Sequence, residues 1–251
     1  FTDVPAGGDY SAAITLLSDL GVVAGKPDGS FGINDAITRA DAACLIARLM
    51  TGEQNPPKYN NAPVFSDVVP GSYYESSVGY CAAMGITSGT GNGKFSPSNT
   101  ITDGEFVAML TRALGYDTPE HPLQWPMGNI VVAQQKGLLK NVNIEYASDA
   151  LRGEDAQMLA NALFADYDAA AARKNLYQRA DDVDQHITIA EEVFNLGRLA
   201  FDADYNSNGN SHRAVDFFRT EKKVYNDGKN TYNVAEDCQA HTWVIAGVDA
   251  H

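Results

Sequence analysis

The chain has 251 residues, 44% of them apolar and 20% charged, and 18 Lys and Arg against 32 Asp and Glu give a net charge of −14. That length holds one large domain or a few small ones, and the mix is that of a folded protein rather than a disordered one. So acidic a chain is repelled by phosphate backbones and anionic lipid, and it has no run of ~20 apolar residues, so nucleic acid is a poor partner and membrane insertion is not expected.

In chain order, the first segment opens on Phe1-Thr-Asp-Val-Pro5, without a basic stretch followed by an apolar one. A motif already under way at the first residue reads as a processed or trimmed chain. Ala13, Ile14, Leu17 and Leu20 keep helical spacing, and Gly21 followed by Val22 ends that helix. A turn-rich loop carries Pro27, Asp28 and Gly29. Thr38 then caps a second helix, with Asp41 three residues on.

The same landmarks return 64 residues later. Phe65-Ser-Asp-Val68, Met84-Gly-Ile86, Asn92-Gly-Lys-Phe95 and Ile101-Thr-Asp-Gly-Glu105 repeat their counterparts at one offset, and Thr102 with Glu105 makes a capping box. A third, shortened copy keeps Lys136-Gly-Leu138 and Leu151-Arg-Gly-Glu154, with no Phe-x-Asp-Val opening. Gly52–Pro63 reads as a linker. The pairs Ile46/Met50, Leu110/Leu114 and Leu159/Leu163 would face a shared core. One unit is too small to bury its own stripe; three around an axis are not. The expected fold is therefore mainly α, a pseudo-threefold bundle of three helix-loop-helix repeats at 1–51, 64–116 and 121–170.

The remaining segment, 171–251, carries no repeat and reads as a small α+β module. An amphipathic helix is expected over Asp184–Asp202, and two strands around the Asp-Gly turn of Val224–Val234. Trp243–Val248 is a third candidate strand. Asp204-x-Asn206-x-Asn208-Gly209 matches the first half of a calcium loop, with Asp204, Asn206 and Asn208 as candidate ligands. Val215 stands where a bidentate Glu belongs, and a plain polar loop is the alternative. No other cofactor is expected.

Cys44, Cys81 and Cys238 show neither CxxC nor zinc spacing, and the first two sit in apolar helical runs as buried thiols. The five histidines are scattered, and no nucleophile elbow, phosphate loop or zinc-protease motif occurs. No enzyme is expected.

Taken together, the repeated Phe-x-Asp-Val, Gly-apolar, Asp-Gly-x-Phe and Ile-Thr-Arg-Ala-Asp elements resemble the S-layer homology domain, found as three tandem copies near one end of bacterial surface proteins. Copy one matches nearly throughout, though Asp9 stands at the aromatic place, where Tyr10 beside it can substitute. Copy two keeps Tyr73 but has Asp103 in place of Arg; copy three keeps Trp125 and Arg152 but has Leu151 for the capping Thr. The resemblance implies a three-lobed bundle whose grooves bind secondary cell-wall polysaccharide, often through a pyruvate ketal on its terminal sugar. It also implies an extracellular place at the bacterial cell wall.

The resemblance makes Arg39 and Arg152 forks for a carboxylate, Tyr73 and Trp125 platforms for a pyranose, and Gly25 and Gly89 points of close backbone approach. Free N–H groups at the helix starts would add to the anion site. Thr38, Asp3 and Asp67 complete the candidate set. Other readings stand beside these: Thr38 and Thr102 as caps, Trp125 as a wedge between lobes, Phe31 and Phe95 as core. Asp103 would repel a pyruvate, so the second groove is expected to be weak or dead. The alternative to an anchor is a subunit that self-associates into a surface lattice.

Overall fold

The computed structural model describes residues 1–56, 65–165 and 188–194, and beyond them the backbone of four short strands. It divides into two units, Phe1–Ile187 and Thr188–His251.

Among the described residues the first unit holds six helices, α1 (Ser11–Asp19), α2 (Arg39–Thr51), α3 (Glu75–Ala83), α4 (Asp103–Ala113), α5 (Met127–Gln135) and α6 (Arg152–Phe164). Both Thr caps form full capping boxes: Thr38 accepts from the Asp41 amide and Thr102 from the Glu105 amide, while each acid reaches back to the cap. The Leu151 start of α6 has no side-chain cap. Ile46, Leu110, Leu114, Leu159 and Leu163 are fully buried and Met50 is 3% exposed, so the i, i+4 pairs all face the core.

The helices do not pair within their own repeats. Instead α3 packs on α2, α5 on α4 and α1 on α6, so every packed pair joins one repeat to the next. The N-terminal helix thus closes the ring against the C-terminal one. A lone repeat leaves the apolar faces of its two helices largely uncovered, and the bundle is stable only as a closed set.

The axis of the ring is a triangle of backbone hydrogen bonds. The Ile37 amide donates to Ala150 O (3.1 Å), Ala150 to Ile101 O (2.9 Å) and Ile101 to Ile37 O (3.2 Å). These are equivalent positions, each just before the cap of α2, α4 or α6. All three are buried, so their polar groups must find protein partners. The apolar side chains keep water out, and the backbone supplies the threefold specificity.

Cys44 and Cys81 are buried free thiols, as expected, and burial pushes both thiols up. No described helix is long and apolar enough to cross a membrane.

The second unit contains α7 (Ile189–Glu192), β1 (Leu199–Phe201), β2 (Arg213–Val215), β3 (Lys223–Asn226) and β4 (Thr231–Val234). β3 and β4 are antiparallel with Asn226 opposite Thr231, which is the hairpin the Asp-Gly turn implied. The long helix expected over Asp184–Asp202 is not what forms: only α7 is helical among its described residues, and Leu199–Phe201 pair antiparallel with Arg213–Val215. Gly197 lowers the helical propensity of that run, and strand pairing overrides its periodicity. Trp243–Val248, Cys238 and the candidate calcium ligands Asp204, Asn206 and Asn208 lie outside the described residues.

Candidate functional site

Three equivalent junctions surround the axis, one at the start of each of α2, α4 and α6. At each, the following repeat supplies a loop and an aromatic segment. The first two amides of each helix are already spent on that loop. Arg39 and Ala40 donate to Asn99 O and Pro97 O, Asp103 and Gly104 to Ser148 O and Tyr146 O, and Arg152 and Gly153 to Asp35 O and Ile33 O. The expectation of free N–H groups for an anion is therefore corrected. A helix start buried in a ring needs partners for its orphan amides, and the neighbouring repeat provides them.

At junction 1, Arg39 is 6% exposed. Its Nε donates to Phe95 O (3.0 Å), its Nη1 pairs with Glu105 (3.1 Å), and its guanidinium lies 5.3 Å from the Phe95 ring centre. Burial lowers its pKa and Glu105 opposes that, so the charge is kept. Tyr73 is 61% exposed but turns its hydroxyl inward, donating to Asp41 Oδ1 (3.0 Å). Burial of that end and the Asp41 carboxylate push the phenol up to about 12. The junction presents an aromatic face above an acid-capped helix start, with a guanidinium beneath.

Junction 3 repeats the plan. Arg152 Nε donates to Phe31 O (2.9 Å) and Nη2 to Ala24 O (3.0 Å), with the guanidinium 4.5 Å from the Phe31 ring centre. Tyr10 supplies the aromatic element: a Cβ at Gly153 would lie 2.8 Å from its ring. An open cavity of about 610 Å³ lies here, lined by Asp9, Tyr10, Asn141, Val142, Asn143 and Gln157. Of these the sequence pointed only to Tyr10. Asn141 and Asn143 belong to the loop before α6 in the shortened third copy, which has no Asp-Gly-x-Phe counterpart for a repeat comparison to find, and Gln157 lies on α6 itself.

Junction 2 differs. Asp103, 2% exposed, accepts from the Glu145 amide (3.0 Å) and offers no fork. Pro126 and Tyr146 crowd Gly104, while Trp125 is 57% exposed and Tyr146 54%.

The other candidates lie beneath the junctions. Asp3 accepts from the amides of Phe31 (2.6 Å), Gly32 (2.7 Å) and Ile33 (3.0 Å), and these, the Phe31 amide above all, hold its carboxyl down to about 2. Asp67 does the same for Phe95 (2.8 Å) and Ser96 (2.9 Å); desolvation pushes it up, but the amides outweigh that. Both carboxylates pin the Phe loops on which the arginines rest. Gly25 and Gly89 make room for the aromatic motif: an added Cβ would lie 2.3 Å from the Phe1 ring in one case, and 2.3 Å from Lys94 O and 2.6 Å from Phe65 in the other. Phe31 and Phe95 are core, as the alternative reading had it, and pair with Phe1 and Phe65 at 5.5 and 5.6 Å between ring centres.

Comparison with known proteins agrees with this geometry. The S-layer homology domain model matches residues 1–43 and 64–107. A cell surface protein of Thermoanaerobacter kivui is 30% identical over 164 residues, 65% of this chain and 21% of its own length. A middle cell wall protein of Brevibacillus brevis is 31% identical over 158 residues, 63% of this chain and 15% of its own. S-layer protein EA1 of Bacillus anthracis is 35% identical over 116 residues, 45% and 13% respectively. The chain thus spans about a fifth or less of these relatives' lengths. The third copy lies outside the matched residues, although α5 and α6 complete the ring that the first two copies begin. Both matched segments carry the Phe-x-Asp-Val and capping elements that build the junctions, and residues 1–43 and 64–107 are S-layer homology repeats.

Proposed function

We propose that the chain is a wall-anchoring module of a bacterial surface protein, holding secondary cell-wall polysaccharide at its inter-repeat junctions. Its place is the cell surface. The observation that carries this reading is the cavity at junction 3. Its volume falls within the ~300–1,000 Å³ of small-ligand sites. Two Asn, one Gln and one Tyr line it, which suits the donor and acceptor pattern of sugar hydroxyls. An acidic terminal sugar, such as a pyruvylated one, would be drawn to junction 3, where Arg152 puts positive charge into a chain of net charge −14, whereas Arg39 at junction 1 is buried and paired with Glu105. Junction 2, with Asp103, repels such a group and takes no part.

Co-sedimentation with purified Gram-positive cell walls tests this, with walls stripped of secondary polymer as control. Wild type should pellet only with the intact polymer. An Asn143→Ala/Gln157→Ala double variant, which leaves the arginine brackets in place, should lose most of that binding. Wild type in the supernatant, or equal binding by the double variant, would remove the reading.

A second reading is self-association. It is favoured by the outer face of α5, where Met127 is 55% and Val131 50% exposed beside Trp125. Ordered assemblies formed with no wall present would support it.

A further inference from the structure

Junctions 1 and 3 are each closed by a buried or half-buried guanidinium. Junction 2 lacks one and gathers acids instead. Asp103 Oδ2 is satisfied by the Glu145 amide, but Asp103 Oδ1 is buried with no hydrogen-bond partner. Asp155, in the first turns of α6, is fully buried, and both of its carboxylate oxygens are unpartnered. Backbone pairing joins the helix starts that carry these two acids: Asp103 N donates to Ser148 O (3.0 Å) and Ala150 N to Ile101 O (2.9 Å), while Asp155 N donates to Leu151 O (2.9 Å) within the first turn of α6. Asp103 is also the strongest charged influence on Asp155, followed by Glu154, and Glu154, Glu145 and Asp149 all act on Asp103. The opposing charge on Asp155 is Arg152, whose Nε and Nη2 are committed to Phe31 O and Ala24 O.

An isolated buried carboxylate costs several kcal/mol, and two that repel each other cost more. Asp155 occupies the register held by Ala42 in the first repeat and Phe106 in the second, both buried and apolar. Packing therefore gives no reason for an acid there. A third party with positive charge does.

We infer that Asp103 and Asp155 form a divalent-cation site at junction 2, where the ion closes the ring as the guanidinium does at junctions 1 and 3. Among the described residues no three His, Cys, Asp or Glu side chains converge on one point. The site is thus a two-carboxylate one, its shell completed by water and backbone carbonyls, in the manner of oxygen-seeking Ca²⁺ or Mg²⁺.

The test is titration of the full chain, freed of metal with a chelator, with CaCl2 and separately MgCl2 at neutral pH. Heat of binding and melting midpoint are both read. The expected result is saturable binding, with a dissociation constant on the order of 0.1–1 mM, and a midpoint that rises with the cation. Asp103→Asn and Asp155→Asn should each weaken binding at least tenfold. Asp103→Asn keeps an acceptor for the Glu145 amide, and a wild-type helical spectrum shows that it is folded. Asp204→Ala, in the stretch of sequence that matches half a calcium motif, should leave this binding unchanged. No binding by wild type, binding indifferent to the two Asn variants, or binding lost only in Asp204→Ala would each overturn the inference. So would a midpoint blind to cations yet raised by acidification, which would mean that the pair holds protons.

Discussion

Arg39 and Asp103 occupy the same position in consecutive repeats, the first residue of a helix at a ring junction, with opposite charge. Arg39 is a bracket: it ties α2 to the Phe95 carbonyl, the Phe95 ring and Glu105. Asp103 is a receiver: it accepts one amide from the following repeat and leaves its other oxygen buried without a partner. Both close a junction, by different means. A ring of homologous parts tolerates inversion of charge at one position, provided the loop opposite changes with it. The third repeat has lost its Asp-Gly-x-Phe loop, so no Phe carbonyl and ring wait for a guanidinium at junction 2. Asp103 and the shortened loop belong together.

The sharpest way to break this comparison is to remove the charge at both residues. Arg39→Ala strands the buried Phe95 carbonyl and unpairs Glu105, and should cost about 3 kcal/mol in urea unfolding. Asp103→Asn retains the acceptor and removes a buried charge. In metal-free buffer it should leave stability unchanged or raise it by up to about 1 kcal/mol. Equal losses from the two would mean that junction 2 is bracketed as junction 1 is.

Much of this was legible in the sequence, and the limits have physical causes. The 64-residue offset exposed two repeats, and the Thr-x-x-Asp/Glu spacing exposed both capping boxes, because caps are local. The i, i+4 pairs exposed the core. The cross-repeat pairing of α1 with α6 was not legible, since self-similarity shows what recurs and not which copy each helix packs against. Nor was the use of the helix-start amides, because their partners lie one repeat away in the chain. Asp3 and Asp67 were read as ligand candidates, yet their oxygens are filled by amides 28 to 30 residues away. Asp155 did leave a signal, an acid where the other copies are apolar.

Those aspartates separate the stapled repeats from the third, which has no Phe-x-Asp-Val. Asp3 is held at about 2 in the fold against 3.8 for the free group. A depressed carboxyl contributes stability that is fully present above the unfolded value, and it is lost as pH falls through the folded one. Between about pH 4 and pH 2 the urea midpoint of wild type should therefore decline. In Asp3→Asn the midpoint should start lower and decline less steeply over that window. A decline of equal slope would place the acid sensitivity elsewhere in the ring.

The smallest effect sharpens the comparison at the caps. Thr38→Ala and Thr102→Ala remove the same capping box from α2 and α4 and should each cost about 1 kcal/mol. The α6 start has the extended backbone of a cap, at φ −103° and ψ 138°, and already carries Glu154 three residues on, but Leu151 has no oxygen to give. Leu151→Thr would recreate the Thr-x-x-Glu box on backbone already shaped for it. The half-buried Leu gives up some apolar contact, which offsets part of the gain, so the net rise in stability should be no more than about 1 kcal/mol. If stability falls instead, the Leu151 side chain is itself part of junction 3, and the third repeat exchanged its cap for packing.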